Sequence, residues 1–404
     1  MIKTQNVSGR RPRIAFAHIP GEGWSAGTYY LKNLFFALRS LPADIQPELV
    51  LLVQNNTAPE DYNELAPFVD EVLKRPIIVR KTFFAELIVN VGKKIGFITK
   101  KENQMSALLK RHGVDIHFTL RTPPPGFRLP FLSWIPDFQH LHYPEFFSDQ
   151  EIINRDTAFE CSARTATRVI LSSNSALTDF EKFAPRATDK ARVLSFVAQI
   201  PDDIYEGNPE VICQKYNIPE RFILLPNQFW KHKNHETVIS ALQIALKKEP
   251  GLTIVCTGNT NETRDLLYFS KLLCFISSVG VRERMVLLGL VPRHDLFLLM
   301  RQSIIVLQPS LFEGWNTTVE EVKSLGKGVI VSDIPVHREQ NAPGAVYFNP
   351  TDAQSLASTL LDVFATGSPG PDSKLEKAAT ESLSMRTEQY GETFMRIVLD
   401  SLNK

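Results

Sequence analysis

The chain has 404 residues, 43% of them apolar and 22% charged, with a formal net charge of +1. That length accommodates two domains of about 200 residues each. The composition is that of an ordinary globular protein, and the near-zero charge excludes a global field that would draw the chain to nucleic acid.

Ile14 to Ile19 is a predicted first strand. It runs into Pro20-Gly-Glu-Gly-Trp-Ser-Ala-Gly27, after which Leu31, Leu34, Phe35 and Leu38 recur at i, i+3, i+4, i+7, the stripe of a core-facing helix. The loop reads Gly-x-Gly-x-x-x-Gly, which is not the dinucleotide fingerprint. Its glycines either close a tight turn or let backbone N–H groups reach a phosphate or sugar. Glu48 to Val53 and Pro76 to Val79 are the next strands. From Lys74 to Arg111 there are ten lysines and arginines against two acids, interleaved with Phe83, Phe84, Leu87, Ile88 and Val91. Two readings stand: a solvated helix face, or a basic amphipathic surface giving peripheral contact with anionic lipid.

Ile116 to Leu120 and Pro130 to Ile135 are further strands. Asp137, His140 and His142 follow the second directly, where an open α/β sheet places ligands. A buried, hydrogen-bonded cluster is the competing reading. Arg168 to Ser172 and Arg192 to Val197 complete this half, and a polar hinge is expected over Gln199 to Asn208.

Strand-like runs recur at Phe222 to Leu225, Leu252 to Cys256, Met285 to Leu288, Ile304 to Leu307, Val329 to Val331 and Ala345 to Phe348. Helical patterns separate them, so a second parallel α/β domain is expected. The domains are placed at 1–200 and 201–374, with a last helix at 375–404. Phe229-Trp-Lys-His-Lys-Asn-His235 follows the first of these strands, and Lys231 and Lys233 are point charges suited to a diphosphate.

Pro309 to Gly326 carries a strand end, a turn and a helix start. Thr317 is the expected N-cap, with Glu320 completing a capping box and Gly326 releasing the C-terminus. Free N–H groups at such a helix start suit a phosphate. Gly314 is expected to bring backbone close to a ligand. Glu313 and Glu321, with seven residues between them, bracket the anion site as acceptors for sugar hydroxyls. A nucleotide sugar fits that pattern; so does an ordinary βα unit with surface glutamates.

Cys161, Cys213, Cys256 and Cys274 show no metal-ligand spacing, so free buried thiols in a reducing compartment are expected. The polar N-terminus and the lack of any apolar run near ~20 residues predict neither a signal peptide nor a membrane span. A cytoplasmic chain, with or without contact at the inner membrane face, is the expectation.

Phe312-Glu-Gly-Trp through Glu321, Gly326 and Val331-Ser-Asp-Ile-Pro-Val-His-Arg-Glu339 together resemble the donor-site signature of glycosyltransferase family 4. Its members are retaining enzymes of the GT-B fold, two doubly wound Rossmann-like domains facing across a cleft. The resemblance runs from about Arg13 to Asp362. It places Gly23, Ser25, Ala26 and Gly27 in a glycine loop facing the donor. It makes Asp137 and His140, and less firmly His142, sugar or acceptor contacts. Lys233 becomes the lysine that stabilises the leaving diphosphate, with Lys231 beside it. The family usually has arginine where this chain has Gln228, which removes one expected cation.

Gly258 and Asn259 then lie around the nucleotide, and the backbone at Leu290 and Val291 reads the base. Glu321 holds the ribose and Glu313 the sugar hydroxyls. Gly314, Trp315, Asn316, Thr317, Thr318 and Val319 form the diphosphate turn. The implied activity is metal-independent transfer of a hexose from a nucleoside-diphosphate sugar, UDP before GDP, to a glycan or lipid-linked glycan. No cofactor is implied. An epimerase of the same fold and a non-catalytic sugar-binding subunit are the alternatives.

Overall fold

The computed structural model describes residues 10–19, 25–75 and 103–403. Short aliphatic runs, buried on both faces, make two parallel sheets. The first contains β1 (Arg13–Ala17), β2 (Glu48–Val53), β3 (Glu71–Lys74), β4 (Ile116–Thr119), β5 (Phe131–Ile135), β6 (Arg168–Leu171) and β7 (Ala191–Val193), in the order β3-β2-β1-β4-β5-β6-β7. The second contains β8 (Ile223–Pro226), β9 (Ile254–Thr257), β10 (Met285–Gly289), β11 (Ile305–Gln308), β12 (Val329–Ser332) and β13 (Val346–Phe348), in the order β10-β9-β8-β11-β12-β13.

The helices, in chain order, are α1 (Ser25–Arg39), α2 (Gln104–Arg111), α3 (Gln139–His142), α4 (Asp149–Thr165), α5 (Asn174–Phe183), α6 (Val211–Tyr216), α7 (His235–Ala245), α8 (Tyr268–Ser278), α9 (Arg293–Gln302), α10 (Thr317–Leu325), α11 (Pro335–Gln340), α12 (Ala353–Thr366) and α13 (Ser373–Leu402). Leu31, Leu34, Phe35 and Leu38 of α1 are fully buried in the first core, as the periodicity predicts. The strand expected at Pro76 to Val79 lies outside the described residues. β3, which pairs with β2, was not predicted: Glu71-Val-Leu-Lys74 is short and polar at both ends, as an edge strand is. Arg13 at the start of β1 pairs with Glu48 and Glu71 at the starts of β2 and β3, which fixes the three strands at one end.

α13 returns to the first domain. Tyr390, Phe394, Met395, Ile397 and Val398 enter its core, and Phe394 stacks on Phe16 at 5.7 Å. Gly391 lets this helix meet α1 closely: a Cβ there would lie 2.7 Å from the Ala37 carbonyl. The fully buried Arg168 of β6 binds Asp400 at 2.6 Å and anchors the helix end. The expected hinge is partly buried. Ile200 and Ile204 join the second domain's core, while Gln199 bonds Asn33 and Thr387 on the first-domain side.

No described helix is long and apolar enough to cross a membrane. Most of the basic stretch from Lys74 to Arg111 lies outside the described residues. The cysteines are unpaired; Cys213 and Cys256 are buried, but Cys274 is exposed, contrary to the expectation of buried thiols throughout.

Candidate active site

Strand order reverses between β8 and β11, and ligands of open α/β sheets bind beyond the strand ends at such a point. The loops after β8 and β11 are neighbours there. Asn234 adopts a left-handed conformation, φ 59°, at the start of α7 and donates to the carbonyls of Pro309 and Pro350, at 3.0 and 2.8 Å. That bond locks the two loops together. Lys233 then reaches Glu313, Nζ to Oε1 2.6 Å, with side chains only 14% and 10% exposed. Each ion offsets the desolvation that the other would suffer if buried alone. Asn316 Nδ2 donates to the same Glu313 oxygen at 3.1 Å, and Oε2 has no partner among the described residues.

The N-cap of α10 is Asn316, not Thr317. Its Oδ1 accepts from the Val319 N–H at 3.0 Å. Its Nδ2 lies 3.1 Å from Gln308 Oε1 and 3.3 Å from His337 Nε2, and Gln340 brackets its backbone. Asn316 is thus a buried hub for the turn and has no edge left for a donor. Glu320 does not close a capping box either. It is buried beside Lys323 and Arg386, and burial raises its pKa. Val319 has its side chain in the core and its N–H capped, so it cannot serve the diphosphate as expected. The N–H groups of Thr317 and Thr318 have no acceptor among the described residues, so the helix start remains a place for an anion. Gly326 ends the helix at φ +82°, as expected.

Gly314 does approach something closely, but it is protein. A Cβ there would lie 2.2 Å from the Pro136 carbonyl and 2.9 Å from Asp137 Cβ. Trp315 likewise turns to the first domain, where its indole donates to Phe196 O at 3.1 Å and packs on the core. Both residues hold the halves together. Gly258, at φ +138°, lies against the backbone of Asn227. Gln228 accepts from Asn259 N at 2.6 Å, so it ties the loop after β9 to the loop after β8 and supplies no charge. Leu290 is 69% exposed and Val291 half-buried. Glu321 is buried and pairs with Arg293 at 2.8 Å.

Across the cleft, Asp137 accepts from Gln139 N at 2.9 Å and faces Arg155 at 3.5 Å. The His140 side chain is wholly buried, bonded to Asp156 at 2.9 Å and packed on Phe159; burial lowers its pKa and keeps it neutral. His142 is 44% exposed, bonds Asp179 at 2.9 Å and lies 5.0 Å from the Phe312 ring. Of the two imidazoles, His142 is the exposed one, against Phe312, the residue before Glu313. Lys231 sits over Phe146, 4.8 Å from its centroid, while Gly27 is buried and Ser25 and Ala26 open α1. Gly23 lies outside the described residues. Among the described residues no group of three or more side chains could hold a metal ion.

The sequence reading overlooked Gln308, His337 and Gln340, which support Asn316, and Arg293. Only His337 had a visible signal, through its place in the Val331 to Glu339 segment.

Comparison with known proteins bears on this geometry. Residues 210–381 match the family described as Glycosyl transferases group 1. Outside these residues the likeness is one of fold. The Anabaena protein Alr3699/HepE, solved with UDP-glucose, superposes at a TM-score of 0.64 with 17% identity, over 96% of this chain and 99% of that one. A glycosyltransferase from Rickettsia africae superposes at 0.63 with 16% identity, over 98% of each chain. The O-antigen chain mannosyltransferase RfbU of Salmonella typhimurium is 28% identical over 144 residues, 36% of this chain and 38% of that protein. The chain therefore has the GT-B fold.

Proposed function

We propose that the protein is a retaining glycosyltransferase that uses a nucleoside-diphosphate sugar, UDP before GDP, and builds a bacterial surface polysaccharide. The observation that carries this reading is the Lys233–Glu313 pair at 2.6 Å beside the open helix start at Thr317 and Thr318. One element suits a departing diphosphate and the other a hydroxylated ring. The UDP-glucose bound by Alr3699/HepE and the O-antigen role in the name of RfbU support the donor and the product class.

In this mechanism the diphosphate rests on the Thr317 and Thr318 N–H groups with Lys233 at its side. These preorganised charges stabilise the bond from C1 to the phosphate oxygen as it breaks. Glu313 Oε2 holds the sugar hydroxyls. The acceptor hydroxyl forms its bond to C1 from the same face, and its proton passes to the leaving phosphate. No protein nucleophile is required. Lys233 and the helix dipole supply the positive field a metal would otherwise give, so transfer is metal-independent. Asp137 and His142 border the acceptor side, and His140, through Asp156, shapes it from below. The acceptor is a glycan or lipid-linked glycan.

The test is transfer by Glu313→Ala from UDP-sugar donors. A loss of about 10²–10³-fold is expected, as for removal of one preorganised polar group. Activity within a few-fold of the parent contradicts the assignment.

A further inference from the structure

Glu321 is only 3% exposed, and burying a carboxylate is costly unless a cation lies against it. Arg293 supplies that cation at 2.8 Å. It is the first residue of α9, two positions beyond the Leu290-Val291 backbone. Its guanidinium carbon lies over two aromatic rings, 4.0 Å from the centroid of Tyr29 and 4.8 Å from that of Phe297. Tyr29 belongs to α1 of the other domain, two residues after Gly27. One side chain therefore touches three helices: α10 through Glu321, α1 through Tyr29 and its own α9 through Phe297.

A planar fork held by a carboxylate on one edge and a ring on its face has little freedom left. Lysine has neither the plane nor the fork, so the geometry is specific to arginine. We infer that Arg293 is a positioning residue for the nucleotide: it aims Glu321 at the ribose hydroxyls and, through Tyr29, joins the nucleotide half of the cleft to helix α1. The inference rests on the ribose assignment of Glu321 and goes beyond it by naming what makes that carboxylate competent.

The experiment uses the full chain and calorimetry with three probes: UDP, 2′,3′-dideoxy-UDP and inorganic pyrophosphate. The parent should prefer UDP to the dideoxy nucleotide. Arg293→Met should lose about tenfold or more in UDP affinity, the usual effect of leaving a buried charge unpartnered. Its preference for the ribose hydroxyls should collapse, while pyrophosphate binding stays at the parent value and shows that the fold is intact. Arg293→Lys should restore part of the affinity, and Tyr29→Ala should show a smaller loss in the same direction. Parent-like UDP affinity and ribose preference in Arg293→Met would overturn the inference. Equal loss of UDP and pyrophosphate would overturn it as well, since that marks a general structural role. A parent chain indifferent to the ribose hydroxyls sinks the Glu321 assignment itself, and this is read before any variant is made.

Discussion

Two helix starts face the boundary between the domains, and they are used differently. At α5 the N–H groups of Asn174 and Ser175 are taken by the Glu339 carboxylate of the other domain, at 2.8 and 3.3 Å. At α10 those of Thr317 and Thr318 have no acceptor among the described residues. Both have the positive end of a helix dipole. The α5 start shows that a carboxylate satisfies such a site and fastens one domain to the other. At the α10 start the nearby carboxylates, Glu313 and Glu321, are paired with Lys233 and Arg293 instead. One start serves as a latch and the other suits a mobile anion.

The sharpest way to break that contrast is to remove charge at α10. Lys233→Ala with Lys231→Ala should lower nucleoside-diphosphate affinity by about 10²-fold, since each charge-assisted bond contributes about 1.5–3 kcal/mol; unchanged binding by calorimetry contradicts the phosphate site. Gly314→Ala comes next. Its added methyl meets the Pro136 carbonyl, so the halves must separate. Transfer should fall about tenfold or more, because a misplacement of about 1 Å can cost 10²-fold, while nucleotide binding stays near the parent value. Equal activity would show that this close approach does not matter.

Glu339→Gln should be milder. Loss of one charge at a helix start shifts the closed-to-open balance about two- to fivefold, visible as a larger radius of gyration by X-ray scattering. An unchanged profile removes the latch.

How far the sequence carried this contrast differs between the two starts. The βα alternation and the Pro309 to Gly326 pattern are local, and they located the second sheet and the helix that follows β11. The α5 latch was invisible, because Glu339 and Asn174 are 165 residues apart and meet only when the domains close. The same reason explains Gly314 and Trp315. A glycine and an aromatic beside a ligand turn look like ligand residues, yet here they meet Pro136 and Phe196 of the other domain. The N-cap moved by one residue because a capping box is read from spacing alone, whereas Asn316 is fixed by Gln308 of β11 and by His337 and Gln340 of α11.

An effect on stability alone lies behind α10. Lys327 is buried, donates to the carbonyls of Arg301 and Gly370 at 3.1 and 2.8 Å, and burial lowers its pKa to about 8. The unfolded chain then holds its proton up to the ordinary lysine range while the folded chain has released it. Stability relative to Lys327→Met should therefore rise as pH goes from about 8 to about 10.5, by roughly 1–3 kcal/mol. A difference that is flat over this window in urea unfolding contradicts the shift.

The most direct test of the central claim is calorimetry of UDP, GDP and ADP with the purified chain and no added metal. The expected result is tight binding of one of them, UDP first, lost in the Lys231 and Lys233 double variant. No binding of any of the three, to a chain shown to be folded, would contradict a nucleotide-sugar site at the α10 start.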